Sequence, residues 1–290
     1  MPDGFDPGMT PRLADPLPDL RALQASDPIH WAERYRAWLV TRWEDVRSGL
    51  NDPRLSTMRA MPEPDAFPED FRAVFADYRR YLDPWMVMRD PPDHTRLRGL
   101  VNKGLTPSAI EGLRPRIAEL VDGLLADMPA TGEFDLIPSF AYPLPAAVIA
   151  ELIGVPKSVV DDLKRWSDGL ATSTGTGKDI YAEAAEAVSE MGAYLAGFVA
   201  ERRRMPGDSV VDALIAAHDG QSRLDADELI GNLILLLFAG HETTTNLLVN
   251  GLRTLLLNPA QMADLRASLD DADLVRNAIE ESCAMTARCS

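Results

Sequence analysis

The sequence predicts a mainly α-helical protein with a small β region. An apolar run over residues 229–238 is hydrophobic on nearly every side, which is typical of a helix in the core of a large protein or in a membrane. Gly231 and Asn232 interrupt this run, and it is shorter than the roughly 20 apolar residues that a membrane span needs. We therefore expect a buried core helix. Three further stretches have a helical pattern: 113–128, 156–170 and 178–204.

The remaining elements follow in chain order. Residues 1–18 predict a proline-rich lead, and residues 38–46 predict a strand followed by a helix. Residues 61–71 are rich in Pro, Glu and Asp and predict a loop, whereas the Ser/Thr/Gly run over 172–177 predicts a flexible link between two helices.

Composition limits the classes of function. The chain has 290 residues, 46% of them hydrophobic, which is enough to bury a large core in one or two domains. Its net charge of -16 argues against binding to nucleic acid or to an anionic membrane, because both need basic surface. The amino terminus has neither a basic end nor an apolar block, so we expect no signal peptide or membrane anchor and a cytoplasmic protein. The cysteines, Cys283 and Cys289, predict no disulfide framework.

Residues 239–244, Ala-Gly-His-Glu-Thr-Thr, place polar groups directly after the apolar run. Thr243 lies four residues after Ala239, so its hydroxyl can bond that carbonyl and bend the helix. Gly240 has no side chain, which would let a flat ligand approach the backbone. From the residues alone, a ligand site and a core helix with back-bonded threonines are about equally good interpretations.

A second polar segment covers residues 90–98, Asp-Pro-Pro-Asp-His-Thr-Arg-Leu-Arg. It predicts a helix start capped by proline, with Asp93 near the positive end of the helix dipole. His94 and Arg98 are four residues apart and share one helix face, where they suit a pair of carboxylates. Taken alone, such a pair is more often a solvated helix surface.

The two segments together resemble the cytochrome P-450 family. Residues 239–244 fill every position of its oxygen-activation motif, Ala/Gly-Gly-x-Asp/Glu-Thr-Thr/Ser, which lies in a long central helix. Residues 90–98 resemble the bacterial segment in which His and Arg bind the haem propionates. Further segments also resemble the family: 38–56, 142–156 and 223–229. The resemblance covers residues 19–281, which are expected to form the amino-terminal and central part of a cytochrome P-450 domain.

This resemblance implies a haem-thiolate monooxygenase with heme b (iron protoporphyrin IX) as cofactor. Such an enzyme inserts one oxygen atom of O₂ into a small hydrophobic organic substrate, with electrons from a ferredoxin and a ferredoxin reductase. Thr243 would supply a hydroxyl to the reacting oxygen, and Glu242 would relay protons from solvent. The resemblance implies the following cofactor-binding residues: His94, Arg98, Ala239, Gly240 and Thr244.

The end of the chain departs from the family pattern. The fold is expected to lack the carboxy-terminal haem-thiolate loop, Phe-x-x-Gly-x-x-x-Cys-x-Gly, and the last helix. Neither Cys283 nor Cys289 has the flanking glycines or the upstream phenylalanine, so no metal ligand is expected from this chain. Ala284 stands where the family's Glu-x-x-Arg pair has its arginine.

Residues 282–290 have the properties of a frameshifted tail. A DNA sequence that encodes them gives, from its third base, Val-Arg-Tyr-Asp-Ser-Pro-Val-Gln, which is how the family continues. We therefore expect the native frame to be lost after Glu281 and the truncated chain alone to be inactive. Two alternatives stay open: a haem-free remnant that binds hydrophobic small molecules, and an interaction protein that keeps ancestral motifs.

Overall fold

The computed structural model describes residues 17–33, 36–59, 69–171, 178–207, 209–219 and 224–286. Within these ranges the protein is mainly α-helical with a small two-stranded sheet, so the predicted class is confirmed. The strands are β1 (Ile29–Ala32) and β2 (Ala37–Val40). The helices are α1 (Leu17–Ser26), α2 (Trp43–Leu50), α3 (Glu69–Leu82), α4 (Asp93–Gly104), α5 (Pro107–Gly112), α6 (Arg114–Ala126), α7 (Pro143–Ile153), α8 (Val160–Ala171), α9 (Lys178–Arg204), α10 (Val210–Asp219), α11 (Ala226–Leu257), α12 (Pro259–Ala267) and α13 (Ala272–Thr286).

The chain divides into two compact units, and the smaller one comprises residues 1–56 and 250–290. Its sheet is antiparallel and pairs Trp31 with Trp38, whose rings meet edge to face at 5.3 Å between centroids. Aromatic pairs across neighbouring strands stabilise such short sheets. β2 is followed by α2, as residues 38–46 predict.

Helices α12 and α13 also belong to the smaller unit. A side-chain carbon added at Gly251 would lie 3.3 Å from the Cβ of Ser282 on α13, so the glycine permits close packing there. α13 continues without interruption through Ser282 to Thr286. The predicted tail is therefore helical as far as Thr286, and residues 287–290 lie outside the described ranges.

The larger unit comprises residues 57–249 and is built around α9, which packs against α3 and α8. Aromatic rings join α3 to α9: Phe71, Phe75 and Tyr78 each meet Tyr181 within about 6 Å between centroids. These side chains belong to the main apolar core of the unit, together with the buried residues 229–237 of α11.

The end of α7 shows why a glycine is needed at position 154. Gly154 caps the helix with φ of 94°, a left-handed conformation that favours glycine. An added side-chain carbon would also lie 2.6 Å from the Oγ of Ser209. Gly154 is therefore the stop signal of α7, which lies within the segment over 142–156 that resembles the family.

The start of α10 is organised by Asp212. Its carboxylate accepts hydrogen bonds from Arg202 Nε at 3.0 Å and from the backbone N–H of Ser209 at 3.0 Å, and Arg202 Nη2 and the hydroxyl of Ser209 also donate to it. Burial opposes ionisation, but these bonds and one from the Gly207 backbone outweigh it and hold the pKa of Asp212 well below its usual value. The carboxylate therefore caps α10 and ties it to α9.

The observed boundaries differ from the sequence predictions at several places. α1 begins at Leu17, inside the predicted lead, and α3 begins at Glu69, inside the predicted loop over 61–71. α3 carries an apolar face through Phe71 and Phe75, and burial of this face extends the helix into the predicted loop. The described ranges exclude residues 1–16, 60–68 and 172–177, where the rest of the lead, the rest of the loop and the flexible link were predicted.

None of the helices in the described ranges combines the length and the apolar character that a bilayer crossing requires. α11 is the longest helix in these ranges, and its apolar part lies in the core of the larger unit.

Candidate active site

The site is positioned by α11, whose first turn is fixed by a reciprocal cap. The backbone N–H of Glu228 donates to the Asp225 carboxylate at 2.7 Å, and the Glu228 carboxylate accepts from the Asp225 N–H at 2.9 Å. This arrangement satisfies two backbone donors that a helix start otherwise leaves unpaired. Residues 229–235 are then buried on all sides, as the apolar run predicts.

Asn232 anchors the middle of the buried segment and was missed as a positioning residue by the sequence analysis. It is 1% exposed, accepts a bond from the Met86 N–H at 3.0 Å, and donates to the carbonyls of Pro84 and Glu228 at 2.9 and 2.8 Å. Gly231 beside it lets the end of α3 approach, because an added carbon would lie 2.7 Å from the backbone carbonyl oxygen of Tyr81. An asparagine inside an apolar run is the signal that could have identified this anchor.

α11 is buried over residues 229–235, whereas over the motif at 239–244 it has one exposed face and one buried face. Ala239, Thr243 and Thr244 are exposed, whereas His241 and Thr245 are buried. Positions four residues apart share a face, so Ala239 and Thr243 form one exposed surface and His241 and Thr245 form the opposite, buried one. A core helix thus presents a small residue and a hydroxyl on its accessible side.

Both exposed threonines bond back to the helix. The hydroxyl of Thr243 donates to the Ala239 carbonyl at 2.7 Å, and that of Thr244 donates to the Gly240 carbonyl at 3.0 Å. The predicted bond from Thr243 to Ala239 is therefore observed. Since each hydroxyl has one hydrogen, both threonines present lone pairs outward and act as acceptors in this state.

Gly240 faces Ile149 on α7, whereas the sequence suggested a flat ligand as its neighbour. A side-chain carbon added there would lie 2.7 Å from both Cγ1 and Cδ1 of Ile149 on α7. The missing side chain faces another helix, so on that side it makes room for Ile149. Contact of the Gly240 backbone with a cofactor stays a prediction.

Glu242 lies between the two faces and is half-buried. Its carboxylate accepts a long bond of 3.5 Å from the Asn246 side chain, one turn further along α11. At that distance the bond is weak. The carboxylate therefore lies at the edge of the accessible face, within reach of solvent.

The second segment forms α4, which starts directly after a cis bond between Pro91 and Pro92. His94 is half-buried and Arg98 is exposed, on the same side of the helix as predicted. In the part of the chain that the structure describes, neither side chain has a hydrogen-bond or ion-pair partner. Two donors without a protein acceptor suit an anionic ligand such as a pair of carboxylates.

Arg96 ties α4 to α11 from the neighbouring position. Its guanidinium forms a two-bond ion pair with Glu228, one of whose bonds is 3.1 Å. Burial works to raise the pKa of Glu228, but the bonds from Arg96 and the Asp225 backbone outweigh it and keep the pKa below its usual value. This pair leaves His94 and Arg98 available while it sets the position of their helix against α11.

The structure thus places all seven predicted residues on α4 and α11. The Arg96–Glu228 ion pair connects these helices, and Asn232 holds the loop before α4. Among the described residues, no hydrogen bond or ion pair joins His94 or Arg98 to the motif over 239–244. These residues fit the cationic and accessible sides of a haem site, whereas a thiolate ligand is not evident: Cys283 is an exposed residue on α13, and Cys289 lies outside the described ranges.

Comparisons with known proteins agree with this arrangement. The family model of Cytochrome P450 matches residues 165–281. The chain is 43% identical over 251 residues to Cytochrome P450 107B1 of Saccharopolyspora erythraea, covering 85% of this chain and 59% of that protein. It is 38% identical over 270 residues to Vitamin D(3) 25-hydroxylase of Pseudonocardia autotrophica, covering 92% and 63%. The solved structure of PksS, a cytochrome P450 of the Bacillus subtilis 168 bacillaene polyketide synthase, matches with a TM-score of 0.83 and 31% identity, over 98% of this chain and 69% of that one.

These matches define a mainly α-helical class of fold with a small sheet, and the chain belongs to the cytochrome P450 family. The chain spans between 58% and 65% of the length of the curated relatives it matches.

Proposed function

We propose that the full-length protein is a cytochrome P450 monooxygenase that oxidises a small hydrophobic organic substrate with O₂. The observation that carries this proposal is the exposed Ala239 and Thr243 surface on a helix that is buried over residues 229–235. Exposing a hydroxyl and a half-buried carboxylate on a core helix gives little to stability, but it suits proton delivery to a ligand. A relative named Vitamin D(3) 25-hydroxylase supports a hydrophobic substrate for this chain as well.

His94 and Arg98 would hold the two propionates of haem. Buried or half-buried carboxylates need a charged donor, and arginine can supply two parallel bonds. Bound haem supplies the activation of O₂, while the protein positions the substrate and manages protons. Ala239, Gly240 and Thr244 would lie along the cofactor. The small side chain of Ala239 would let the cofactor approach the exposed face of α11.

Thr243 and Glu242 would deliver protons. In its present state the Thr243 hydroxyl donates its hydrogen to the Ala239 carbonyl. Its oxygen can still accept a hydrogen bond from a water. To donate, the hydroxyl must turn away from Ala239, and Glu242 can replace the proton from solvent. We also propose that electrons come from a ferredoxin and its reductase and that the enzyme works in the cytoplasm.

For residues 1–290 alone, we propose that activity is absent, because neither Cys283 nor Cys289 lies in a loop with the family's thiolate pattern. A reduced carbon-monoxide difference spectrum of this chain tests the point. The absorption band of thiolate-ligated haem would overturn inactivity, and its absence leaves a haem-free remnant that binds hydrophobic small molecules or a protein partner. Sequencing the gene across codons 280–290 tests the proposed frameshift.

The catalytic assignment is tested by Thr243→Ala in a full-length version with the frame restored after Glu281. The substitution removes little volume, so haem and substrate binding should persist. Product per NAD(P)H consumed should fall and hydrogen peroxide should rise, since loss of one positioned proton donor typically costs about 10²–10⁴ in the catalysed step. Thr243→Ser keeps the hydroxyl and should retain coupling. Equal coupling in Thr243→Ala and wild type would show that Thr243 only bonds to Ala239.

A further inference from the structure

The buried face of α11, opposite Thr243, carries a histidine that the proposed reaction does not use. His241 is 2% exposed, and its Nδ1 lies 2.7 Å from the carbonyl oxygen of Leu237. A carbonyl only accepts, so Nδ1 carries the hydrogen and Nε2 is a bare acceptor. Nε2 is buried and has no hydrogen-bond partner among the described residues.

Tyr142 supplies the complementary group. It follows a π-helical turn at Ile137–Ala141, an uncommon conformation often found at functional sites. Its ring meets that of His241 edge to face, with 5.5 Å between centroids. The Tyr142 hydroxyl is buried and, within the described ranges, also lacks a partner. Burial, with the nearby charges of Asp168, Glu242 and Asp161, raises the pKa of Tyr142, so the hydroxyl keeps its proton and can donate.

A third buried group lies one helical turn beyond His241. Thr245 is 8% exposed, and its hydroxyl is unpartnered in the described part of the chain. A buried donor directly before α7 therefore meets a face of α11 that carries a bare acceptor and a hydroxyl that does both. Leaving each unpaired costs about 1–3 kcal/mol, whereas buried waters typically make two to four bonds to such groups.

On its outer side Tyr142 reaches the protein surface through α8. Lys164 Nζ lies 4.8 Å above the centre of the Tyr142 ring and 2.5 Å from the Asp168 carboxylate. Both charged side chains are about half exposed. The Tyr142 ring thus contacts a solvated ion pair on α8 as well as the buried His241.

We propose that Tyr142 and His241 bind one buried water behind the motif helix, and that this bridge positions the turn of α11 that carries Glu242. Tyr142 donates to the water, and the water donates to His241 Nε2. The bridge itself is independent of the proposed monooxygenase activity, whereas the positioning role rests on that activity.

Nitrogen-15 NMR of histidine-labelled residues 1–290 tests the bridge without haem. Wild type should show His241 with hydrogen on Nδ1 and a hydrogen-bonded Nε2. Tyr142→Phe should shift the Nε2 resonance toward that of a free acceptor, and Tyr194→Phe should not, because the Tyr194 ring stacks on Trp166 and Phe198 instead. An unshifted Nε2 in Tyr142→Phe, or hydrogen on Nε2 in wild type, would overturn the bridge.

A double-mutant cycle on the same chain gives a second measurement that does not need assignment of one resonance. Tyr142→Phe should raise the unfolding equilibrium constant about fivefold with His241 present, the usual net effect of one hydrogen bond, and little in the His241→Phe background. Equal effects in both backgrounds would contradict the bridge. If His241→Phe does not fold, His241→Leu, which also removes the acceptor, takes its place in the cycle, with the same two outcomes.

The positioning role has its own readout in the full-length version. Tyr142→Phe should lower product per NAD(P)H severalfold and leave the carbon-monoxide spectrum unchanged, whereas Tyr194→Phe should alter neither. If Tyr142→Phe shifts the Nε2 resonance but leaves product per NAD(P)H unchanged, the positioning role is refuted and the water bridge stands. A wild-type enzyme without the haem-thiolate band would refute the proposed function and leave the bridge intact.

Discussion

Asn232→Leu removes the anchor between α11 and the loop before α4. The side chains have similar volume, so the effect comes from the polar groups left behind. The Met86 N–H and the Pro84 carbonyl lose their Asn232 partner, and each buried group left unpaired costs about 1–3 kcal/mol. Burial of the new leucine side chain stabilises the folded state by roughly 1.5 kcal/mol and so offsets part of this cost. We expect the free energy of unfolding to fall by about 1–4 kcal/mol, a large share of the roughly 5–15 kcal/mol of a typical domain.

The assay is urea unfolding followed by circular dichroism, with amide hydrogen exchange as a local measurement. The Met86 amide should exchange roughly 5- to 150-fold faster, which corresponds to about 1–3 kcal/mol of lost protection. The matched control is Asn246→Leu on the same helix. Asn246 is exposed, and among the described residues its side chain makes only the 3.5 Å bond to Glu242, so this variant should stay within about 0.5 kcal/mol of wild type.

Equal loss of stability in the two variants, or an unchanged Met86 exchange rate in Asn232→Leu, would refute this reasoning. Either result would mean that the loop is held by its apolar packing, and that the three bonds of Asn232 only satisfy its own buried amide.

Two further predictions concern α10 and the motif glycine. The depressed pKa of Asp212 means that its contribution to stability is present above the unfolded value near 3.8 and is lost as pH falls toward the folded one. Asp212→Asn should lower the free energy of unfolding by about 1–3 kcal/mol at about pH 7, and the difference from wild type should shrink in acid urea titrations. Gly240→Ala should destabilise by about 1–3 kcal/mol, because the added carbon meets Ile149 at 2.7 Å. Thermal or urea unfolding measures this loss.

Controls for Gly240→Ala are available in the chain. Gly99→Ala adds the same carbon on α4 with no atom within 4 Å, so it should stabilise by about 0.5–1 kcal/mol through the helix preference of alanine. Ile149→Ala combined with Gly240→Ala should recover part of the lost packing. If Gly240→Ala leaves the free energy of unfolding unchanged, α7 and α11 move apart freely to accept the added carbon. A pH-independent difference for Asp212→Asn would rule out its charge as the cause.

Local chemistry made much of the fold predictable. The strand and helix near Trp38, the helix over 178–204 and the stop at Gly154 follow from periodicity, propensity and a left-handed cap, which depend on neighbours in sequence. The bond from Thr243 to Ala239 was predictable for the same reason, because residues four apart in a helix always meet. The start of α3 was not, since burial of Phe71 and Phe75 against α9 decides it.

By itself, the sequence determined the helical class, the two polar segments and, through its motifs, the family. Only the tertiary structure decided what those residues touch. It showed that Gly240 makes room for Ile149, that Asn232 holds the loop before α4, and that His241 meets Tyr142 nearly a hundred residues earlier in the chain. The physical reason is that caps and helix faces are set within a few residues, whereas close packing and the pairing of buried polar groups depend on which distant surfaces meet.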